Sequence, residues 1–134
     1  MTSPESAPPH MNKPGKRGLA RLTAAAGNSW NGMRAAWRTE EAFRMEVSLA
    51  LIFIPLAFVF GEGLPHQLVL VLCCTLVGVA EIVNTAIESI VDRISLEHDP
   101  LSGQAKDLGS AAVLISLLLC SGAWVLTLWQ WLRR

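Results

Sequence analysis

This chain has no surplus of charge of either sign: eleven Lys and Arg stand against eleven Asp and Glu in 134 residues. A polyanion is held by a basic surplus, so no nucleic-acid partner is expected. No stretch alternates between apolar and polar residues at a period of two over a useful length, and no internal repeat is evident. Half-buried sheets and repeat arrays are therefore excluded as readings. Cysteine is scarce, and Cys73, Cys74 and Cys120 all fall in apolar segments without metal-ligand or disulfide-framework spacing, so they read as small packing residues. His10, His66 and His98 are scattered, and no zinc site is expected. Neither Gly-x-x-x-x-Gly-Lys-Ser/Thr nor Gly-x-Gly-x-x-Gly occurs, so any phosphate cradle must be built from helix ends and loops. The first 18 residues are polar, with no apolar core of a cleavable signal, and residues 1–17 read as a disordered tail.

What is abundant is apolar sequence, 51% of the chain, concentrated between Val47 and Leu132 in three segments. The third, Ala111 to Leu132, runs 22 residues without a charge and closes on Trp129, Trp131 and Arg133-Arg134, an interfacial anchor. The second, Leu68 to Val91, is long enough to span but polar in its latter half. The first, Val47 to Phe60, has only 14 residues and contains Pro55, which predicts a short, kinked span. The fold class is thus an all-α membrane protein. Spans are expected over residues 45–61, 67–92 and 108–132, with a polar loop over 93–107 in which Ser102 caps the last helix.

Upstream, Leu19, Leu22, Ala26, Trp30, Met33 and Trp37 recur at three and four, with Arg17, Arg21, Arg34 and Arg38 off the stripe. This predicts an amphipathic surface helix over 18–41 lying in the headgroup plane, with helical propensity weakened at Gly27 and Gly32, where a break is possible. It joins the three spans in one membrane-embedded domain, 18–134. Seven of the eleven cations precede the first span, and the 61–67 turn has no Lys or Arg. The positive-inside rule puts the N-terminus and the 93–107 loop in the cytoplasm.

The second span carries Glu81, Asn84 and Glu88 at helical offsets of three and seven, with Asp92 a turn further on the same stripe. Carboxylates near hydrocarbon are costly unless they face protein, water or a cation, so the stripe is a functional-site hypothesis. A deeper carboxylate handling a proton and another binding a divalent cation near the surface is one division of labour; bonding between helices is the blander reading. Lys106 beside Asp107 begins a transmembrane helix and suits a phosphate.

These residues also carry a resemblance. Glu81-Ile82-Val83-Asn84-Thr85-Ala86-Ile87-Glu88, Val91-Asp92-Arg93-Ile94 and the run Leu101-Ser102-Gly103-Gln104-Ala105-Lys106-Asp107-Leu108-Gly109-Ser110-Ala111-Ala112-Val113 closely resemble the prokaryotic integral-membrane diacylglycerol kinase family. So do Ala25-Ala26-Gly27, Ser29-Trp30, Arg34-Ala35-Ala36-Trp37, Glu40 and Ala42-Phe43-Arg44. The resemblance implies an ATP-dependent kinase making phosphatidic acid from diacylglycerol in the bacterial inner membrane. It also implies a homotrimer with active sites shared between protomers, and Mg2+ as the metal. By position, Glu81 looks like the general base, Glu40 and Glu88 like metal ligands that also contact ATP, and Asn84 like their support. Arg21, Glu97, His98, Asp99, Lys106 and Asp107 fall where the family contacts ATP. Arg21, Trp30, Arg34, Trp37, Ala42, Phe43, Arg44, Met45, Glu46, Glu81 and Ser110 fall near the lipid. Two positions depart from the pattern: Asn28 stands where Tyr is usual, and Gln104 where Arg is usual.

Two other readings remain at this point. An undecaprenol kinase keeps the chemistry and changes the lipid. A non-enzymatic ion or proton conduit lines a pore with the acidic stripe but gives Lys106-Asp107 no role.

Overall fold

A computed structural model of the protein describes residues 18–94 and 99–134. The expected tail 1–17 and the ATP-contact positions Glu97 and His98 lie outside the described residues. Four helices make up the rest: α1 Leu19–Thr39, α2 Glu41–Phe60, α3 Gly63–Ile94 and α4 Pro100–Leu132. No strand occurs among the described residues.

Among the described residues the chain falls into two compact units, residues 18–32 and 33–134. The boundary falls inside α1, where residues 18–32 include no buried side chain and Leu19, Leu22 and Trp30 are exposed. Backbone hydrogen bonds carry α1 without interruption through Gly27 and Gly32, each with open space around it.

In the second unit α3 is the central helix, packing against both α2 and α4, which barely touch each other. Among the described residues three helices are long and apolar enough to cross a membrane, and most of their large apolar side chains are exposed. α2 is longer than its apolar run. It starts at Glu41, six residues before Val47, and passes through Pro55, giving 20 residues and about 30 Å. α3, with 32 residues, extends about 48 Å, so its polar end projects beyond a hydrocarbon core of about 30 Å.

The connection between α2 and α3 is tighter than the expected 61–67 turn, because two glycines make it. A Cβ on Gly61 would lie 2.6 Å from the Ala57 carbonyl oxygen and 2.7 Å from Gln67 Cγ, while Gly63 takes φ 73°, a left-handed conformation open to glycine. α4 begins at Pro100, within the stretch 93–107 that the sequence reading takes as a loop. Pro100 occupies the first turn, where its missing N–H costs nothing, and Asp99 rather than Ser102 is the cap. Asp99 Oδ1 accepts from the N–H groups of Leu101 at 2.9 Å and Ser102 at 3.0 Å.

The apolar core lies around Ala57, Leu70, Cys74 and Trp124. Trp124 meets Phe53 edge-on with centroids 4.9 Å apart, and its indole N–H points at Cys74 Sγ, 3.5 Å away. The adjoining end is fastened by Phe60 against Trp131, an ion pair between Glu62 and Arg134, and His66. The Glu62 N–H donates to His66 Nδ1 at 3.1 Å, so Nε2 carries the ring proton toward Thr127 Oγ1 at 2.9 Å. Thr127 in turn donates to the Ala123 carbonyl.

Candidate functional site

At the other end of α3, helical spacing brings the stripe together as the sequence predicts. Glu81 is buried, at 5% exposure, and Asn84 at 9%. Glu88 is half-buried one turn beyond. Asn84 Nδ2 donates to Glu88 Oε1 at 3.2 Å, a contact that an i, i+4 pair on one helix face makes readily. The bond occupies one carboxylate oxygen of Glu88 and leaves the other available.

Two further carboxylates come from the start of α2. Glu40 sits at the break after α1, with extended backbone (φ −105°, ψ 117°), and its side chain makes no capping bond. Arg44 Nη1 donates to the Trp37 carbonyl at 3.1 Å, bracing this break. Glu81 lies within electrostatic reach of both Glu88 and Glu40, and Glu46 within reach of Glu81. Glu46 Oε2 is buried without a hydrogen-bond partner among the described residues. Glu46 also lines a cleft of about 150 Å³ whose other walls, Phe53, Val77, Leu117 and Trp124 among them, are largely apolar.

α4 closes the site with Lys106, whose Nζ meets Asp92 Oδ1 at 2.8 Å. Lys106 precedes the apolar run of α4. Its hydrogen bond to Asp92 raises the ammonium pKa, desolvation opposes this, and the charges of Asp92 and Glu88 add to the rise. A cation is thus held beside the Glu88 end of the stripe.

The other sequence-derived candidates are placed less closely. Arg34, Trp37, Ala42, Met45, Asp107 and Ser110 are exposed, Arg44 is half-buried, and Phe43 is buried. Arg21 and Trp30 lie, exposed, in the first unit. Asp99 is engaged as the α4 cap. Two residues that sequence reasoning left without an assigned role stand at the site: Asp92, through Lys106, and Gly109, buried against Asn84. Asp92 had a signal in its position on the stripe, whereas Gly109 was one of a row of small residues.

No cluster of three or more His, Cys, Asp or Glu able to hold a metal occurs among the described residues. Glu40, whose side chain makes no capping bond, and Glu88, with one oxygen still open, are the kind of hard oxygen donors that suit Mg2+. That ion keeps several waters and is bound by one or two carboxylates together with substrate phosphates. The arrangement offers a buried carboxylate for a proton, hard oxygen donors for a cation, and an ammonium for phosphate.

The family model described as Prokaryotic diacylglycerol kinase matches residues 27–128. The chain is 44% identical over 113 residues to the diacylglycerol kinase of Escherichia coli strain K12, covering 84% of this chain and 93% of that protein. It is 42% identical over 110 residues to the diacylglycerol kinase of Pseudomonas aeruginosa, covering 82% and 89%. Identity to that of Helicobacter pylori strain 26695 is 40% over 111 residues, covering 83% and 87%.

Proposed function

The chain belongs to the prokaryotic diacylglycerol kinase family, and on that premise we propose that it transfers the γ-phosphate of ATP to the primary hydroxyl of diacylglycerol, giving phosphatidic acid and ADP. The observation that carries this reading is the gathering of Glu40, Glu46, Glu81 and Glu88 from two helices, with Glu81 the most buried and Asn84 turned to Glu88.

In the proposed step Glu81 takes the hydroxyl proton of the lipid. The lipid oxygen then forms its bond to the γ-phosphorus as the bond to the bridging oxygen of ADP breaks. Burial keeps competing water away from Glu81. Glu40 and Glu88 would hold Mg2+, which would supply positive charge to offset that of the ATP phosphates. Lys106 supplies a point charge for phosphate once Asp92 gives it up, and Asp99 keeps the first turn of α4 in register with it. Asp107 and Arg21 contribute ATP contacts. Trp30, Arg34, Trp37 and the 42–46 stretch form the lipid side together with Ser110. Glu46 then stands where a polar headgroup meets the apolar cleft. The exposed apolar faces of α2, α3 and α4 are covered by lipid and by the other protomers of a homotrimer whose active sites are shared. The protein acts in the bacterial inner membrane with the Glu88 end of α3 and the start of α4 facing the cytoplasm, as the cation distribution favours.

The test is transfer of labelled γ-phosphate from Mg-ATP by the purified protein to diacylglycerol and to undecaprenol, side by side, with Glu81→Gln as control. Labelled phosphatidic acid that disappears in the variant supports the reading. Preferential labelling of undecaprenol overturns the acceptor, retained turnover in Glu81→Gln overturns the base, and no labelling by the wild type overturns the kinase.

A further inference from the structure

The geometry points to Gly109 as a positioning residue for the phosphoryl-transfer site: by presenting no side chain where α4 meets Asn84, it lets the Asn84 amide lie against α4 with its nitrogen turned to Glu88. This rests on the reading of Glu88 as a carboxylate that holds the metal.

Gly109 is unlike the other helical glycines. A Cβ on Gly27, Gly32, Gly78, Gly103 or Gly122 would meet nothing within 4 Å. On Gly109 it would lie 2.5 Å from Asn84 Oδ1, 3.4 Å from Asn84 Cγ and 3.6 Å from Asn84 Cα. The first distance is closer than carbon and oxygen tolerate, so Asn84 or the helix must shift to admit a methyl group. The requirement is not conformational, because Gly18 and Gly63 are the glycines with positive φ among the described residues. Glycine is also the poorest helix former after proline. At this position of α4, unlike at Gly103 and Gly122, the close approach of Asn84 makes the absence of a side chain a steric need. The row Gly109-Ser110-Ala111-Ala112 shows the same selectivity, since Gly109 alone of the four is buried.

The amide orientation completes the argument. With Nδ2 toward Glu88 Oε1 at 3.2 Å, Oδ1 faces α4, where it is buried and has no hydrogen-bond partner among the described residues. The opposite flip would set the amide oxygen against a carboxylate oxygen, two acceptors in contact. Asn84 therefore leaves its oxygen unpaired against Gly109 in order to hold Glu88. A methyl at 109 displaces that oxygen, and because the amide is a rigid plane, Nδ2 swings off Glu88 with it. Glu81, three residues earlier on α3, is not contacted by that methyl among the three nearest atoms. Nucleotide-linked metal binding is thus the property that Gly109 governs.

The experiment is a titration of Mn2+ against the full-length protein in detergent with a non-hydrolysable ATP analogue, bound metal being counted by electron paramagnetic resonance. It compares wild type, Gly109→Ala, Asn84→Ala, the double variant and Glu88→Gln, with Gly122→Ala as the helix-glycine control. Loss of a group that orients a metal ligand lowers metal affinity roughly 10–100-fold. Gly109→Ala is expected to weaken Mn2+ binding by about tenfold or more, with Gly122→Ala unchanged. In the Asn84→Ala background, Gly109→Ala is expected to add nothing, since the side chain it displaces is gone. An equal loss in both backgrounds overturns the inference, as does wild-type binding by Gly109→Ala alongside loss in Glu88→Gln. Unchanged binding in Glu88→Gln overturns the metal reading and this inference together. If Gly109→Ala does not fold, the double variant must fold and bind as Asn84→Ala does; its failure to fold is equally fatal.

Discussion

Lys106 Nζ reaches Asp92 Oδ1 at 2.8 Å, joining the polar end of α3 to the first turns of α4 just beyond the acidic stripe. Both side chains are substantially exposed, so the pair contributes little to folding. Lys106→Ala is expected to leave the thermal unfolding midpoint nearly unchanged while lowering kcat/KM for Mg-ATP by a hundredfold or so, as loss of a group that contacts transferring phosphate does. Steady-state kinetics beside a thermal melt separates the two effects. A large stability loss with normal kinetics would make Lys106 a strut.

Asp99 fixes where α4 begins, and therefore where Lys106 and Asp107 stand. Asp99→Ala removes the acceptor for two backbone N–H groups and is expected to cost about 1 kcal/mol, whereas Asp99→Ser keeps a capping oxygen and loses only part of that. KM for Mg-ATP should rise in the alanine variant and be restored in the serine variant. Identical kinetics in both would detach the cap from nucleotide binding.

Trp124 anchors the core against Phe53 and Cys74 and shares with Glu46 the lining of the apolar cleft. In soluble proteins truncation of a buried Trp to Ala costs about 3–5 kcal/mol. In lipid the transfer contribution is weak and the packing contribution remains, so Trp124→Ala is expected near about 3 kcal/mol, with KM for Mg-ATP unaltered. Reversible unfolding in mixed micelles reads the first and kinetics the second.

Thr127 links the ends of α3 and α4 through the proton on His66 Nε2. Thr127→Val keeps the shape and removes the acceptor, leaving the ring N–H unpaired at a site only 2% exposed. A loss of about 1–2 kcal/mol is expected, with wild-type phosphoryl transfer, because Glu81 and Glu88, the carboxylates of the proposed site, lie more than three helical turns away along α3. An activity loss without a stability loss would contradict this.

The acidic stripe was legible because it is local. Offsets of three and four on one helix place Glu81, Asn84 and Glu88 on one face whatever surrounds them, and the Asn84–Glu88 bond follows from that spacing. The three spans were legible from composition, but their ends were not. Pro55 and the short apolar run suggested a brief first span, yet helical hydrogen bonds extend α2 to Glu41 through polar residues that a hydropathy reading discounts. Likewise Pro100 looked like loop punctuation and became the first residue of α4 once Asp99 capped it.

What the sequence by itself determined is the set of features carried by one helix at a time: three apolar segments, an amphipathic first helix, and a stripe of carboxylates and amide. Period and hydropathy fix these without reference to distant residues. What only the tertiary structure decided is which helices share those groups. Glu46 comes within reach of Glu81 across α2 and α3, Lys106 meets Asp92 across fourteen residues, and Gly109 lies against Asn84. Each depends on the rotation and separation of packed helices, set by the fit of side chains such as Trp124, Leu70 and Ala57, and no spacing along a single helix encodes that fit.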